Sequence, residues 1–276
     1  MTMMSASQNV FRNFMGALTL VLAAPAWAGL EQIQKIDDPV EKGLAVAREI
    51  QQRDAGFGDF VVEAEMILMQ GEQVLSKRTF FSKVLEVDGD GDHSVNVFRS
   101  PRDVEGTAIL IHAHGLKPDD QWLYLPAIKR VKRISTRSKS GPFVGSEFAY
   151  EDLSTWLPEK YSHRFLGEET VDGVECLKVE NVPAYEDSGY SKLLQWTDKE
   201  ILRPRRIDYY DRKGDLLKTL TFDDYRQYKG RWWRPGVMTV TNHQTGRSTQ
   251  LIWKAYRFGT GLTAADFVQS KLDRMQ

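Results

Sequence analysis

His112 and His114 stand two residues apart, which would put both imidazoles on one face of a strand as a usable metal pair. Zinc needs at least a third ligand. His93, His163 and His243 are scattered, with no spacing that supplies it. Asp88, Asp90 and Asp92 alternate as calcium-loop carboxylates do, yet such a loop needs Gly at its sixth position and Glu at its twelfth. Counted from Asp88, those positions hold His93 and Arg99, so the run reads as a solvated hairpin turn. Cys176 is the only cysteine, which excludes a disulfide within the chain and a cysteine-based zinc site. It lies in the apolar run Val174 to Val179 and reads as a small buried side chain instead of a reactive thiol. No nucleophile elbow, dinucleotide loop, phosphate loop or zinc-protease helix motif occurs. The expectation is a protein that is not an enzyme and carries neither metal nor cofactor.

Two other groups of side chains invite a binding role. Lys129, Arg130, Lys132, Arg133, Arg137 and Lys139 place six cations within eleven positions, with no acid among them. Such a run suits anionic lipid headgroups or an acidic face of a transporter. It equally suits an edge strand whose lysines discourage sheet pairing. Glu147, Glu151 and Asp152 follow closely and are placed to fold against the cluster. With 37 basic and 38 acidic residues the chain has a net charge of -1, which excludes a strongly basic nucleic-acid binder. Trp122, Tyr124, Phe143, Trp196, Trp233 and Trp253 are candidates either for an ordinary core or for the lining of an apolar cavity.

The elements that must position these residues are mostly strands. Asp38 caps, Pro39 suits the first helical position, and Val40, Leu44, Ala47 and Ile50 recur at helical spacing up to Arg53, before Gly56 and Gly58. A second, shorter helix is expected near Thr263 and Asp266, with Phe267, Val268 and Leu272 on its apolar side. Between them about eleven strands alternate with polar-Gly turns, Asp172-Gly173 among them. The runs include Asp59 to Met69, Gln73 to Val87, Gln121 to Leu125, Arg133 to Thr136, Trp232 to Thr241 and Ser248 to Phe258. An antiparallel sheet of that width must twist and curl. The expected fold is therefore mainly β, with the two helices laid across the concave side of a half-barrel.

Residues 1–28 carry one charged side chain, Arg12, ahead of the apolar run Phe14 to Ala24 and the small-x-small pattern Ala26-Trp27-Ala28. That is the pattern of a secretory signal peptide cleaved after Ala28, with an apolar core too short to span a bilayer. Its removal leaves 36 basic against 38 acidic side chains on residues 29–276, which read as one domain. A periplasmic location follows.

Two stretches carry a family resemblance. Asp119 to Ile134, DDQWLYLPAIKRVKRI, resembles the signature DDQWLYLPALKRVRRI, with Lys132 where Arg is expected. Gly145 to Leu153, GSEFAYEDL, resembles GSDFSYEDL, with Glu147 in place of Asp. Together they resemble the outer-membrane lipoprotein-sorting proteins, the LolA-like periplasmic carriers, in the subgroup found beside transporters of the resistance-nodulation-division type. The resemblance implies an unclosed β-barrel with helices as a lid over an apolar cavity that takes the acyl chains of a lipid or lipoprotein. On that reading Trp122, Tyr124, Phe143, Trp196 and Trp253 line the cavity, and Lys129, Arg130, Lys132 and Arg133 meet headgroups or a partner. The implied partner is an inner-membrane transporter of that type, with peripheral membrane contact only and no nucleic acid. The alternative is a periplasmic lipid or lipoprotein sensor, or an adaptor subunit of a membrane transport complex.

Overall fold

Asp38 starts the principal helix through its carboxylate, which accepts hydrogen bonds from the backbone N–H groups of Val40 and Glu41 at 2.8 and 2.9 Å. The computed structural model describes residues 27–275, so the signal-peptide reading falls outside the described residues except at Trp27 and Ala28. Helix α1 (Trp27–Gln34), which the sequence pattern does not announce, precedes α2 (Pro39–Asp54). The buried stripe of α2 is Gly43, Val46, Ala47 and Ile50. At Gly43 the helix rests directly on sheet backbone. A Cβ there would lie 2.9 Å from the amide nitrogens of Arg164 and Phe165.

Sixteen strands follow: β1 (Asp59–Gln70), β2 (Gln73–Leu85), β3 (His93–Ser100), β4 (Ala108–His112), β5 (Asp120–Leu125), β6 (Arg130–Arg133), β7 (Tyr161–Val171) and β8 (Val174–Pro183). The rest are β9 (Tyr190–Asp198), β10 (Pro204–Asp211), β11 (Leu216–Asp223), β12 (Arg226–Tyr228), β13 (Trp232–Arg234), β14 (Val237–Asn242), β15 (Arg247–Trp253) and β16 (Arg257–Phe258). The main sheet runs β6-β5-β4-β3-β2-β1-β15-β14-β11-β10-β9-β8-β7, with β16 beside β1. Every ladder is antiparallel. The chain starts in the middle, walks out to β6, crosses to the far edge at β7, and returns to seat β15 against β1. At the β7–β8 turn, Asp172 and Gly173 both take positive φ, 48° and 82°, as a two-residue hairpin turn requires. The expected mainly β, unclosed barrel is the fold observed.

The boundaries depart from expectation where backbone donors are missing or rerouted. The predicted strand Trp232 to Thr241 is broken at Pro235-Gly236, and its first part pairs with β12 in a separate hairpin. The edge strand is β6, ending at Arg133, not a strand from Arg133 to Thr136. The C-terminal helix is two short 3-10 turns, Ala264–Asp266 and Gln269–Arg274, and Val268 is exposed.

That segment is also not part of the lid. Phe267 and Leu272, each 1% exposed, cover the outer face of the sheet over Phe81, Val95, Val97 and Leu110. On the inner face α1 and α2 cover Leu177, Val179 and Leu202. The connection from β6 to β7, residues 134–160, crosses the remaining concavity as a strap.

Replacing Gly43 with Leu forces a branched side chain against the β7 backbone. Overpacking of this kind costs about 1–3 kcal/mol. At about 2–4 °C per kcal/mol for a chain of this size, the melting temperature should fall by about 2–12 °C. Faster amide exchange confined to α2 and β7 should accompany it, and an unchanged melting temperature would remove the close packing from the argument.

Candidate functional site

The concavity left between α2 and the strap is a cavity of about 1030 Å³. That is at the upper end of the usual range for ligand pockets. Its floor is apolar: Met66 and Phe80 from β1 and β2, Leu220 and Phe222 from β11, and Leu251 from β15. These positions follow from strand alternation, since inward residues recur every second position.

The strap is pinned by buried polar contacts, and most of them come from Gly145 to Leu153. Lys218 of β11 donates to Asp152 at 2.5 Å and to the Glu147 carbonyl at 3.0 Å, and both side chains of the Lys218–Asp152 pair are about 5% exposed or less. The Lys218 ammonium also lies over the rings of Tyr190 and Tyr209, at 5.2 and 5.1 Å. Tyr190 donates its hydroxyl to Asp152 at 2.6 Å. Glu151 accepts from Tyr185 at 2.6 Å, from the Gly189 N–H at 2.8 Å, and from the Ser188 hydroxyl. Glu147 accepts from Asn242 at 2.7 Å. These three acids therefore turn inward to the opposite half of the sheet and do not fold onto the basic cluster. Fixed in this way, the strap buries Phe143 and Phe148 beside the cavity.

Asp119 closes the seam between the sheet edges. Its carboxylate accepts from Lys160 and from the His114 N–H, both at 2.8 Å, and its carbonyl accepts from Lys139 at 2.7 Å. Lys139 is thus buried and leaves the surface cluster, and burial draws its pKa below the ordinary lysine value. At the end of α2, Asp54 accepts from Arg203 at 2.7 Å and from Arg234 at 2.5 Å. Nearby, Asp92 takes a hydrogen bond from Thr155 at 3.2 Å. Burial pushes its carboxyl up to about 6, with the charges of Glu86 and Asp54 adding to the rise. Asp92 is therefore not a freely solvated turn residue.

Of the aromatic residues expected to line the cavity, Phe143 and Trp253 are on its wall, as is Trp233. Trp253 donates to the Met238 sulfur at 3.2 Å and packs edge-on to Phe80. Trp122 and Tyr124 are corrected to the outer face, under Phe267 and Leu272, because Gln121 and Leu123 take the inward positions of β5. Trp196 is corrected likewise. Leu193 and Gln195 face inward on β9, so Trp196 lies outside between Lys178 and Arg206, donating to Glu169 at 2.7 Å. The cavity residues that sequence reasoning passed over include Trp156, Tyr190 and Tyr209. A bulge at Ser191 shifts the pairing of β9 with β10, which breaks the parity that would have put Tyr190 and Leu193 on opposite faces.

Lys129, Arg130, Lys132 and Arg133 are exposed along the edge strand β6 and the turn before it. Arg133 pairs with Asp120. Of the other candidates, His112 donates to the Phe267 carbonyl at 2.8 Å and stacks on His93, while His114 hydrogen-bonds Asp90 at 2.7 Å. Cys176 is buried, and burial raises its thiol to about 11.

A family model described as an uncharacterized protein matches residues 90–274. The chain is 51% identical to a candidate outer membrane lipoprotein-sorting protein domain from Vibrio parahaemolyticus, over 85% of this chain and 100% of that one, with a TM-score of 0.83. It is 35% identical to a DUF1329 family protein from Desulfovibrio piger, over 85% and 99%, with a TM-score of 0.80. A LolA superfamily protein from Nitrosomonas europaea shares the fold at 18% identity, over 83% and 98%, with a TM-score of 0.65. No curated protein matches the chain.

The raised pKa of Asp92 has a defined sign. Folded protein binds this proton more tightly than unfolded chain, whose aspartates titrate near ~3.9. Its contribution is therefore fully present below pH ~4 and is lost as pH rises through about 6. The loss by neutral pH is of the order of 2–3 kcal/mol at ~1.4 kcal/mol per unit. Asp92→Asn keeps an acceptor for Thr155 without the charge. The variant should melt above the wild type at pH 7.5 and close to it at pH 4.5. Parallel melting curves at both pH values would contradict this.

Proposed function

The chain belongs to the LolA-like family of outer-membrane lipoprotein-sorting proteins, and on that premise we propose that it is a periplasmic carrier that binds the acyl chains of a lipid or lipoprotein reversibly. The observation that carries this reading is the large apolar cavity held between α2 and the strap inside an unclosed barrel. Each methylene hidden from water is worth about 0.8 kcal/mol, so a chain of about fifteen carbons gains of the order of 10 kcal/mol by entering it. Encapsulation lowers the barrier to crossing an aqueous compartment and needs no covalent chemistry. On this reading residues 1–28 are removed in export and residues 29–276 are one carrier domain. Among the described residues no helix is long and apolar enough to cross a membrane. Phe143 and Trp253 contact the chains, and Lys129, Arg130, Lys132 and Arg133 meet anionic headgroups or an inner-membrane transporter of the resistance-nodulation-division type.

Protein purified without detergent and extracted with organic solvent should yield acyl lipid by mass spectrometry, and delipidated protein should bind a fluorescent fatty acid. Empty protein that fails to bind the probe would end this reading. Changing Lys129, Arg130, Lys132 and Arg133 together to Gln should leave stability within about 1 kcal/mol per exposed pair. Bound lipid should be retained, because burial of hydrocarbon is not screened by salt. Transfer between anionic liposome populations should slow severalfold at low ionic strength and converge on the wild-type rate as salt shortens the Debye length. Equal rates at low salt would reduce the cluster to a solvated edge. Binding without any transfer in the wild type would instead favour a sensor or adaptor.

A further inference from the structure

Lys139 and Lys160 both line the cavity, and both ammoniums close on one residue of its wall, Asp119. Lys139 donates to the Asp119 carbonyl at 2.7 Å, and Lys160 to its carboxylate at 2.8 Å. Neither is sealed from solvent. Lys139 is 8% exposed, and the side chains of Lys160 and Asp119 are 10% and 11% exposed. An ammonium has three N–H bonds to place. Lys218 places its own on Asp152, the Glu147 carbonyl and the faces of two tyrosines. Among the described residues Lys139 and Lys160 each make one side-chain hydrogen bond, so each keeps two N–H bonds for a further acceptor. Burial draws Lys139 below the ordinary lysine value, the like charge of Lys160 pulls the same way, and Asp119 opposes both. The pair is held close, partly desolvated and short of acceptors.

From this geometry we infer that the Asp119 seam of the cavity is a subsite for the single negative charge of an amphiphile, a carboxylate or a phosphodiester, held between Lys139 and Lys160. The inference rests on the carrier reading and narrows its cargo to monoanionic lipids. The charge count supports one negative charge. Two ammoniums face the one carboxylate of Asp119, because the neighbouring acids are already engaged. Asp120 pairs with Arg133 and lies 3.6 Å from His114, and Glu151 is taken by Tyr185, Ser188 and the Gly189 N–H. At the outer rim the exposed Lys117 and Glu159 offset one another in charge. The surplus of one positive charge matches a carboxylate or a phosphodiester, and a dianionic phosphate monoester would exceed it. The site also stands where hydrocarbon would begin. Lys160 is followed directly by Tyr161, which packs against the main apolar cluster and stacks on Trp156 at 6.0 Å.

The test compares palmitate with methyl palmitate, and dipalmitoylphosphatidylglycerol with dipalmitoylglycerol, each displacing a neutral apolar dye from delipidated protein at neutral pH. At least one anion should bind about tenfold more tightly than its uncharged partner, equivalent to about 1.4 kcal/mol. A preference confined to palmitate identifies a carboxylate, and one confined to the phospholipid identifies a phosphodiester. A preference in both pairs means that charge alone is read. Lys139→Gln and Lys160→Gln each keep a donor for Asp119. Both variants should bind uncharged lipid as the wild type does, and should lose most of the preference. In wild-type protein carrying ¹³C at lysine Cε, the signals of Lys139 and Lys160, assigned through bonds, should move on adding the preferred anion and stay on adding its uncharged partner. That measurement does not depend on either variant folding. Equal affinity within both pairs would overturn the inference while leaving the carrier reading standing. Binding of none of the four lipids would overturn the carrier reading itself. Unmoved lysine signals, or a preference that survives in either variant, would remove the assignment to this pair.

Discussion

Strands β6 and β7 follow one another in the chain yet stand at opposite edges of the sheet, so residues 134–160 have to bridge the open side of the barrel. A span of that length crossing a concave apolar surface would collapse onto it without fixed attachments. The buried Lys218–Asp152 pair is the attachment on which the others depend. It brings the strap to β11, in the returning half of the sheet, and places Glu151 among Tyr185, Ser188 and Gly189 and Glu147 beside Asn242. The volume of the cavity is set by where this bridge stops.

A buried ion pair is a poor source of net stability, because desolvation of both charges offsets most of their attraction. Its value here is positional. With the strap in its observed place Lys218 has Asp152, the Glu147 carbonyl and the faces of two tyrosines. With the strap displaced, a desolvated ammonium and carboxylate would be left without partners, which costs several kcal/mol. Apolar contacts from Phe143 and Phe148 alone would tolerate many placements. The polar anchors select one, and so keep the remaining concavity empty of the chain's own side chains. Asp119 does the equivalent work at the rim, holding Lys160, Lys139 and the His114 backbone against one residue.

Much of the fold was legible because its signals are local. Asp38-Pro39 marks the start of α2, and Asp172-Gly173 has the chemistry of the turn it makes. The strands β1, β2 and β5 match their predicted runs within two residues. What was not legible depends on partners far away in sequence. Trp122 and Leu123 are both apolar, so alternation could not say which faces the cavity until Phe267 and Leu272 were seen to cover the outer side. Trp196 resembles a core residue by type and is buried by the stems of Lys178 and Arg206, a covering that polar residues do not advertise. The strap carries the GSEFAYEDL motif, but its acids read as partners for the neighbouring cations. Their actual partners lie 34 to 95 residues downstream.

The pairing at the centre of the sheet has a consequence for how the chain comes together. Ala64 of β1 stands opposite Trp253 of β15, so the two halves join only after nearly the whole polypeptide exists. Until then the first meander has a bare edge at β1 and an uncovered inner face, and loop closure over so long a span is entropically slow. The growing chain thus has no early resting place as a finished half-barrel. Its central seam, and with it the closed inner face, forms only when the last strands arrive. The topology that leaves the barrel open in the finished molecule also postpones the completion of its sheet until the last strands are made.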